Sequence, residues 1–290
     1  ENKFGIAFEE VEELYRKAKT KWKNLHLKGV QMHIGSQLTD VQPYVKAVKK
    51  MTPLVKTLIE QFGIEFFSIG GGLGIAYEDA LESGQPEWWK GKGVDFISPE
   101  KLADALVPLL QPLKVKILME PGRFIVGNSG ILVTRVEYVK QTGQKNFVIV
   151  DAAMNDLVRP AFYDAYHQIV PVRQSKGKGS ITADVVGPIC ESGDYFCHDR
   201  ELPVLKEGDY IAVMSAGAYG FTMASNYNER PKPVEILVSG ESADYLRLRE
   251  SIETNWRYEG MPRWLALEEL SEEDFIEGAE EGSDEKPPKK

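Results

Sequence analysis

The sequence predicts an α/β-plus-all-β fold class: the C-terminal part of a (β/α)8 barrel, followed by an antiparallel β domain. Up to about residue 122, three short apolar runs alternate with segments of helical periodicity. Each run ends in a polar or glycine motif, and the C-terminal ends of barrel strands are where such folds collect their chemistry. After residue 123, short β-rich runs separated by glycine-containing turns replace this pattern.

The elements of the first region follow from spacing and from capping residues. Asp40 is a suitable N-cap and Gly63 a suitable C-terminal residue for a long helix, within which Pro53 should cause a kink. Residues 74–98 lack periodicity and are predicted to form a long loop. The predicted helices span 8–22, 40–62 and 98–110, and the predicted strands span 30–34, 64–69 and 115–119.

The second region is predicted to be mostly strand, and the end of the chain disordered. Predicted β-rich runs cover 130–141, 146–152, 181–186, 209–214 and 233–238. The tail from Glu268 is acidic and poor in apolar residues, a composition that favours disorder. The predicted domains are therefore 1–122, 123–267 and 268–290.

Composition excludes several classes of function. The 290-residue chain has a formal net charge of −9, which argues against a nucleic-acid partner. Its apolar runs are too short to span a membrane, and no basic-plus-apolar segment near its first residue predicts secretion. Two cysteines do not make a disulfide framework, so a reducing cytoplasm is the expected location.

Motifs at the three strand ends indicate a cofactor that carries phosphate. The runs end in HIGSQ (33–37), GGG (70–72) and EPGR (120–123). Glycine-rich turns let backbone N–H groups surround a phosphate, although a tight turn alone would also explain the triplet. Three strands cannot close an eight-stranded barrel of roughly 250 residues. We therefore expect either an open sheet or half of a barrel whose front end lies outside this chain.

Six motifs in series resemble diaminopimelate decarboxylase, a pyridoxal-phosphate enzyme family with an alanine-racemase-like fold. HIGSQ, GGG and EPGR are followed by DAAMNDLVRP (151–160), with Tyr163 and His167 after it, then CESGD (190–194) and GAYG (217–220). The resemblance covers residues 3 to about 250. It implies release of CO2 from the D-configured centre of meso-2,6-diaminoheptanedioate to give L-lysine, in a homodimer with shared active sites.

One family feature is missing. The resemblance places the lysine that links to the cofactor in a Tyr-Ala-x-Lys-Ala-like motif, and the sequence contains none. We expect roughly the N-terminal third of the enzyme to lie outside this chain, which alone would be inactive. The alternatives are a decarboxylase of carboxynorspermidine, ornithine or arginine, an alanine racemase, or a non-catalytic member of the family.

The resemblance implies a set of cofactor-binding residues. Glu120 would keep the pyridine nitrogen protonated, His33 would stack on the ring, and Ser36 would donate to the phosphate. Without the motif series, Glu120 could equally be a charged strand end, and His33 a hydrogen-bonded core residue. The predicted cofactor-binding residues are His33, Ser36, Gly70, Gly71, Gly72, Glu120, Gly122, Arg123 and Tyr219.

The resemblance also implies the substrate-binding residues. Arg123 and Arg159, with the Tyr163 hydroxyl, would bind the distal carboxylate, because a guanidinium is a natural bidentate receptor for it. Glu191 would pair with the distal ammonium, and Tyr219 would reach both cofactor and substrate. Taken alone, Arg159 would be interpreted as a surface salt bridge.

Cys190 is the predicted catalytic proton donor after CO2 departs, and His33 is the second predicted catalytic residue. The resemblance assigns the CESGD segment to the neighbouring subunit. An ordinary buried cysteine is the alternative for Cys190. The cysteines and histidines between 167 and 198 lack the paired spacing of a zinc site, so no metal is predicted.

Overall fold

The computed structural model describes residues 3–81, 97–173 and 179–262. The predicted acidic tail and the centre of the predicted loop at 74–98 lie outside these residues. The chain divides into two compact units, Glu1–Pro233 and Val234–Lys290. The division into domains predicted above stays a prediction.

The first region contains a three-stranded parallel sheet with the order β1-β2-β3. Its strands are Gly29–Gln31 (β1), Phe66–Ser68 (β2) and Lys116–Leu118 (β3), each shorter than the sequence predicts. The helices are Val11–Lys21 (α1), Gln42–Phe62 (α2), Pro99–Leu110 (α3) and Gly122–Val126 (α4). The predicted alternation of strands and helices is confirmed, and it brings all three strand ends to one edge of the sheet.

Capping explains most helix boundaries. The Ser98 hydroxyl accepts a hydrogen bond from the Lys101 N–H at 3.2 Å, and Gly63 ends α2 with a left-handed φ of 66°. The predicted N-cap at Asp40 is wrong by one residue, since Val41 occupies that position. Asp40 still accepts from the backbone N–H of Gln42 at 3.0 Å, so its carboxylate serves the same helix end from outside.

Apolar side chains of α2 and α3 pack on the parallel sheet and form one core. Phe67 of β2 is fully buried, and so are three residues of α2: Val48, Val55 and Leu58. This core holds the short strands in place and so fixes the positions of the residues that follow them.

The second region contains a six-stranded sheet with the order β6-β9-β4-β5-β7-β8. Its strands are Leu132–Gln141 (β4), Asn146–Val150 (β5), Ile169–Pro171 (β6), Ser180–Val186 (β7), Tyr195–Pro203 (β8) and Tyr210–Val213 (β9). Between β5 and β6 lies the short helix Arg159–Tyr163 (α5).

The prediction of a wholly antiparallel domain needs a correction, because β5 and β7 pair in parallel. Parallel neighbours require a long crossover connection, and α5 and β6 lie between these two strands in the chain. Strands β6 and β8 were not predicted. β6 has only three residues, and the charged sequence of β8 hides its alternation.

The second unit contains an antiparallel hairpin of Glu235–Ser239 (β10) and Ser242–Arg247 (β11), followed by the short helix Ile252–Trp256 (α6). Gly240 forms its turn with a φ of 59°. In the described parts of the chain, no helix has the length and apolar character needed to span a bilayer.

Candidate functional site

The ends of the three parallel strands pack backbone against backbone around the glycine triplet. A Cβ added at Gly70 would lie 2.1 Å from the carbonyl oxygen of Met32, and one at Gly72 would lie 2.2 Å from that of Gly35. Gly70 and Gly72 also have φ values of +75° and +93°, which favour glycine. Local packing therefore requires the triplet, whatever else it binds.

The same triplet presents unpaired donors. The backbone N–H groups of Gly71 and Gly72 donate to no residue that the structure describes, although Gly71 is buried. The Gly71 carbonyl, by contrast, accepts from the Tyr44 hydroxyl at 2.9 Å. A buried N–H without a partner is rare in proteins, so these two groups suit a hydrogen-bond acceptor from a ligand.

Glu120 lies directly beside the triplet, at the end of β3. A Cβ on Gly71 would be 2.5 Å from the Glu120 carbonyl oxygen. The exposed carboxylate accepts a hydrogen bond from Ser68 Oγ at 2.7 Å and two from Gln31 Nε2, at 3.1 and 3.2 Å. All of these donors are neutral. They hold the carboxylate in place and leave its negative charge available for a cationic partner.

Gln31 and Ser68 were not predicted as site residues. They are register partners, each the last residue of its strand, so their side chains point to the same side as neighbours. The signal was present in the sequence, because each is a polar residue closing an apolar strand.

Arg123, the second residue of α4, reaches across to the segment after β1. One of its guanidinium nitrogens donates to Ser36 Oγ at 3.1 Å, and the other donates to the hydroxyl of Tyr77. Its guanidinium also lies 4.9 Å from the ring centroid of Tyr219, which holds a left-handed φ of 59°. The predicted residues Ser36, Arg123 and Tyr219 are thus brought together.

Arg159, the first residue of α5, is only 6% exposed. Its guanidinium donates to His167 Nε2 at 2.8 Å and lies 4.8 Å from the ring centroid of Tyr77. Burial lowers the pKa of Arg159 from its ordinary value, and the charge of Arg123 acts in the same direction. The interpretation of Arg159 as a surface salt bridge is therefore wrong.

The two guanidinium groups line one pocket of about 480 Å³. Among the described residues, neither group pairs with a carboxylate. The pocket therefore keeps two positive charges beside phenol and imidazole groups, an arrangement that favours an anionic ligand. Its lining residues are Ser36, Gln37, Tyr77, Arg123, Arg159, Tyr163, Ala165, Tyr166 and Tyr219.

Some predicted residues stand apart from this pocket. His33 is exposed and lines a separate cavity of about 520 Å³, bordered also by Phe8 and Tyr15. Gly122 starts α4 with open space where a Cβ would lie, so packing does not require a glycine there. Tyr163 does line the pocket, but no described hydrogen bond joins its hydroxyl to either arginine.

Cys190 and Glu191 lie on the exposed turn between β7 and β8, and neither lines the pocket. Buried Asp194 shapes this turn by accepting from the N–H groups of Ile189 and Met154, both at 2.7 Å. Burial raises the pKa of Asp194 despite these hydrogen bonds. The predicted role of Cys190 and Glu191 in the site of a neighbouring subunit stays a prediction.

Three residues were missed as functional: Tyr77 and Gln37, which line the pocket, and His167, which lies behind it. Tyr77 lies between the two guanidinium groups, in a segment predicted only as loop. Gln37 joins two strand ends, because its side-chain amide exchanges hydrogen bonds with the backbone N–H and carbonyl of Ile75. His167 contacts two lining residues, Arg159 and Tyr77, and the sequence indicates it only as part of the motif series.

Comparison with known proteins gives a family match. Residues 27–217 match the family model described as "Pyridoxal-dependent decarboxylase, C-terminal sheet domain". The chain is 46% identical over 251 residues to the diaminopimelate decarboxylase of Aquifex aeolicus, a match that covers 86% of this chain and 56% of that protein. It thus spans little more than half the length of this curated relative.

Comparison with solved structures also finds decarboxylases. The Helicobacter pylori diaminopimelate decarboxylase complexed with L-lysine superposes with a TM-score of 0.78 at 41% identity, covering 89% of this chain and 60% of that one. A lysine/ornithine decarboxylase from Vibrio vulnificus complexed with cadaverine gives 0.66 at 25% identity, covering 78% and 58%. The likeness is therefore greater to the structure named for a substrate with two carboxylates.

Proposed function

We propose, since this chain belongs to the family of pyridoxal-dependent decarboxylases, that the complete protein decarboxylates meso-diaminopimelate at its D-configured centre and releases L-lysine and CO2. The observation that carries the proposal is the pocket in which two guanidinium groups have only neutral partners among the described residues. A substrate with a second, distal carboxylate can neutralise that charge. Ornithine and arginine end in a cation, which the same pocket would repel.

The residues present fit pyridoxal phosphate. Ser36, Arg123 and the N–H groups of Gly71 and Gly72, which donate to no described residue, would hold its phosphate, since donors and a positive charge suit that group. Glu120 would hold a proton on the pyridine nitrogen, with His33 and Tyr219 contacting the ring. When bound, the cofactor takes up the electron pair left by the departing CO2.

The substrate end of the site would be formed by the pocket arginines. Arg159 is buried and has few ways to move, so it would orient the distal carboxylate with little loss of side-chain entropy on binding. Arg123 lies between this group and Ser36, so it would contact both ligands. Tyr163 and Tyr219 border the same space and would limit its width.

Cys190 and Glu191 would complete the site from a partner subunit of a homodimer. Both are exposed on one turn and away from their own chain's pocket, which supports a role in a partner's site. Cys190 would deliver the proton to the substrate carbon, and Glu191 would bind the distal ammonium. The cytoplasmic location expected from the sequence stays a prediction.

A substrate panel tests the function. The complete protein, loaded with pyridoxal phosphate, is given meso-diaminopimelate, L-ornithine, L-arginine or L-lysine, and CO2 release is measured. We expect kcat/KM for diaminopimelate to exceed the others by roughly 100-fold or more, because the other substrates carry no distal carboxylate to pair with Arg159. A preference for ornithine or arginine would show the proposal to be wrong.

A mixing experiment tests the shared site. Arg159→Ala and Cys190→Ala chains are purified separately, then mixed under conditions that allow subunits to exchange. If the two residues come from different subunits, some mixed dimers contain one intact site and activity returns. Activity that stays at the level of the separate variants would contradict a shared site.

A further inference from the structure

His167 is fully buried and makes two short hydrogen bonds, one through each ring nitrogen. Nε2 lies 2.8 Å from a guanidinium nitrogen of Arg159, and Nδ1 lies 2.7 Å from the carbonyl oxygen of Met214. The histidine thus joins the start of α5 to the residue that follows β9.

The partners of His167 determine where its proton lies. A guanidinium can only donate and a carbonyl oxygen can only accept. Nε2 must therefore be the bare acceptor for Arg159, and Nδ1 must carry the hydrogen donated to Met214. Only the neutral Nδ1–H tautomer satisfies both contacts.

The surroundings keep this histidine neutral. Burial lowers the pKa of His167 to about 4, and the positive charges of Arg159, Arg123 and Arg200 act in the same direction, against the Met214 carbonyl. The Tyr77 ring, edge-on at 5.2 Å, packs against the same imidazole. At neutral pH the acceptor for Arg159 is therefore always present.

We propose that His167 is a positioning residue for the substrate: its bare Nε2 holds the Arg159 guanidinium in the orientation that binds the distal carboxylate. This inference rests on the proposed function. A neutral acceptor has an advantage over a carboxylate here, because it fixes the guanidinium and leaves its charge for the ligand. An aspartate in the same place would compete with the substrate.

Two substitutions separate the two hydrogen bonds. A glutamine at 167 can place an amide oxygen near the position of Nε2, which keeps the acceptor for Arg159. An asparagine can place its amide nitrogen near the position of Nδ1, which keeps the donor to Met214 but loses that acceptor. We expect His167→Asn to lower kcat/KM for diaminopimelate roughly 10-fold or more, mainly through KM, and His167→Gln to retain most of it.

A double substitution tests whether His167 acts through Arg159. In the Arg159→Ala background, His167→Asn should change kcat/KM by less than about twofold, because the interaction it removes is already gone. His198→Asn, at an exposed histidine of β8, is the matched control and should leave kcat/KM unchanged. Equal losses in the Asn and Gln variants, or additive losses with Arg159→Ala, would overturn the proposal.

A spectroscopic measurement is independent of catalysis. Nitrogen-15 NMR of the histidine rings in the wild-type complete protein distinguishes Nδ1–H from Nε2–H and from the charged ring. We expect His167 to show the neutral Nδ1–H form at pH 7 and still at pH 5.5. An Nε2–H or charged ring at neutral pH would overturn the proposal, even if the substrate panel fails or both variants fail to fold.

Discussion

Glu120 follows the last strand of the parallel sheet, and Arg159 begins α5 beside the six-stranded mixed sheet. The two are charges of opposite sign that are held in similar ways. Each has neutral hydrogen-bond partners: Ser68 and Gln31 for the carboxylate, His167 for the guanidinium. They differ in burial, because Glu120 is exposed and Arg159 is 6% exposed. The site thus contains one charge still in contact with solvent and one already withdrawn from it.

That difference affects how each charge would meet a ligand. A buried charge without a counter-ion costs desolvation free energy, which hydrogen bonds offset only in part. Arg159 loses its hydration when the protein folds. Binding of a carboxylate therefore keeps most of the electrostatic attraction, because little more water has to be removed from the guanidinium. Glu120 keeps its hydration until a ligand covers it, so part of its interaction would be spent on removing water. We therefore expect substitutions at Arg159 to have larger effects than those at Glu120.

Arg159→Ala is the substitution expected to have the largest effect. Losing one partner of a buried charge pair typically costs about 2–5 kcal/mol in binding, so kcat/KM for diaminopimelate should fall roughly 30-fold to several thousand-fold. Steady-state kinetics of the complete protein measures it. Arg159→Lys keeps the charge but not the planar fork, and should recover only part of the loss.

The matched control for this prediction is Arg135→Ala. Arg135 lies on β4 and is paired at the surface with Glu137 at 2.8 Å, so its loss should change kcat/KM by less than about twofold. An Arg159→Ala enzyme as active as the Arg135→Ala enzyme would show that the buried guanidinium does not bind substrate.

How far the sequence predicts the site also differs between the two regions. In the parallel sheet, each functional motif follows an apolar run, so the convergence of residues 33–37, 70–72 and 120–123 follows from the rule that parallel strands end at one edge. The capping residues Ser98 and Gly63 likewise determined helix ends from local chemistry.

The mixed sheet is harder to predict, because its site depends on pairing between distant residues. Arg159 begins the short helix α5 and His167 lies eight positions later, just before β6, so their contact depends on the course of the chain between α5 and β6. The parallel pairing of β5 with β7 leaves no signal in either strand's composition. Tyr77 follows the glycine triplet without any periodicity that would indicate its contact with both arginines.

Glu120→Gln tests the exposed side of the comparison. The glutamine keeps the shape and can still accept from Ser68, but it cannot hold a proton on the pyridine nitrogen. We expect kcat to fall about tenfold or more, a barrier increase of at least about 1.4 kcal/mol, while the cofactor remains bound. Absorbance of the cofactor after dialysis checks retention, and single-turnover rates check chemistry. A loss within about threefold would show that Glu120 is not the ring partner.

Ser68→Ala should give the smallest change in kcat. The size of that change tests how strongly the exposed Glu120 carboxylate depends on its neutral donors. The variant removes the 2.7 Å hydrogen bond to Glu120 and also the 3.2 Å hydrogen bond that Ser68 Oγ accepts from the Gly70 N–H, and it leaves Gln31 as the remaining neutral donor to the carboxylate. Ser68 is buried, but water can still reach the exposed Glu120 carboxylate, so we expect kcat to fall only a few-fold, a cost of about 1 kcal/mol or less. A loss as large as that of Glu120→Gln would mean that Glu120 depends on its neutral donors as strictly as Arg159 depends on His167. The expectation that the exposed charge depends less on its hydrogen-bond partners than the buried charge does would then be wrong.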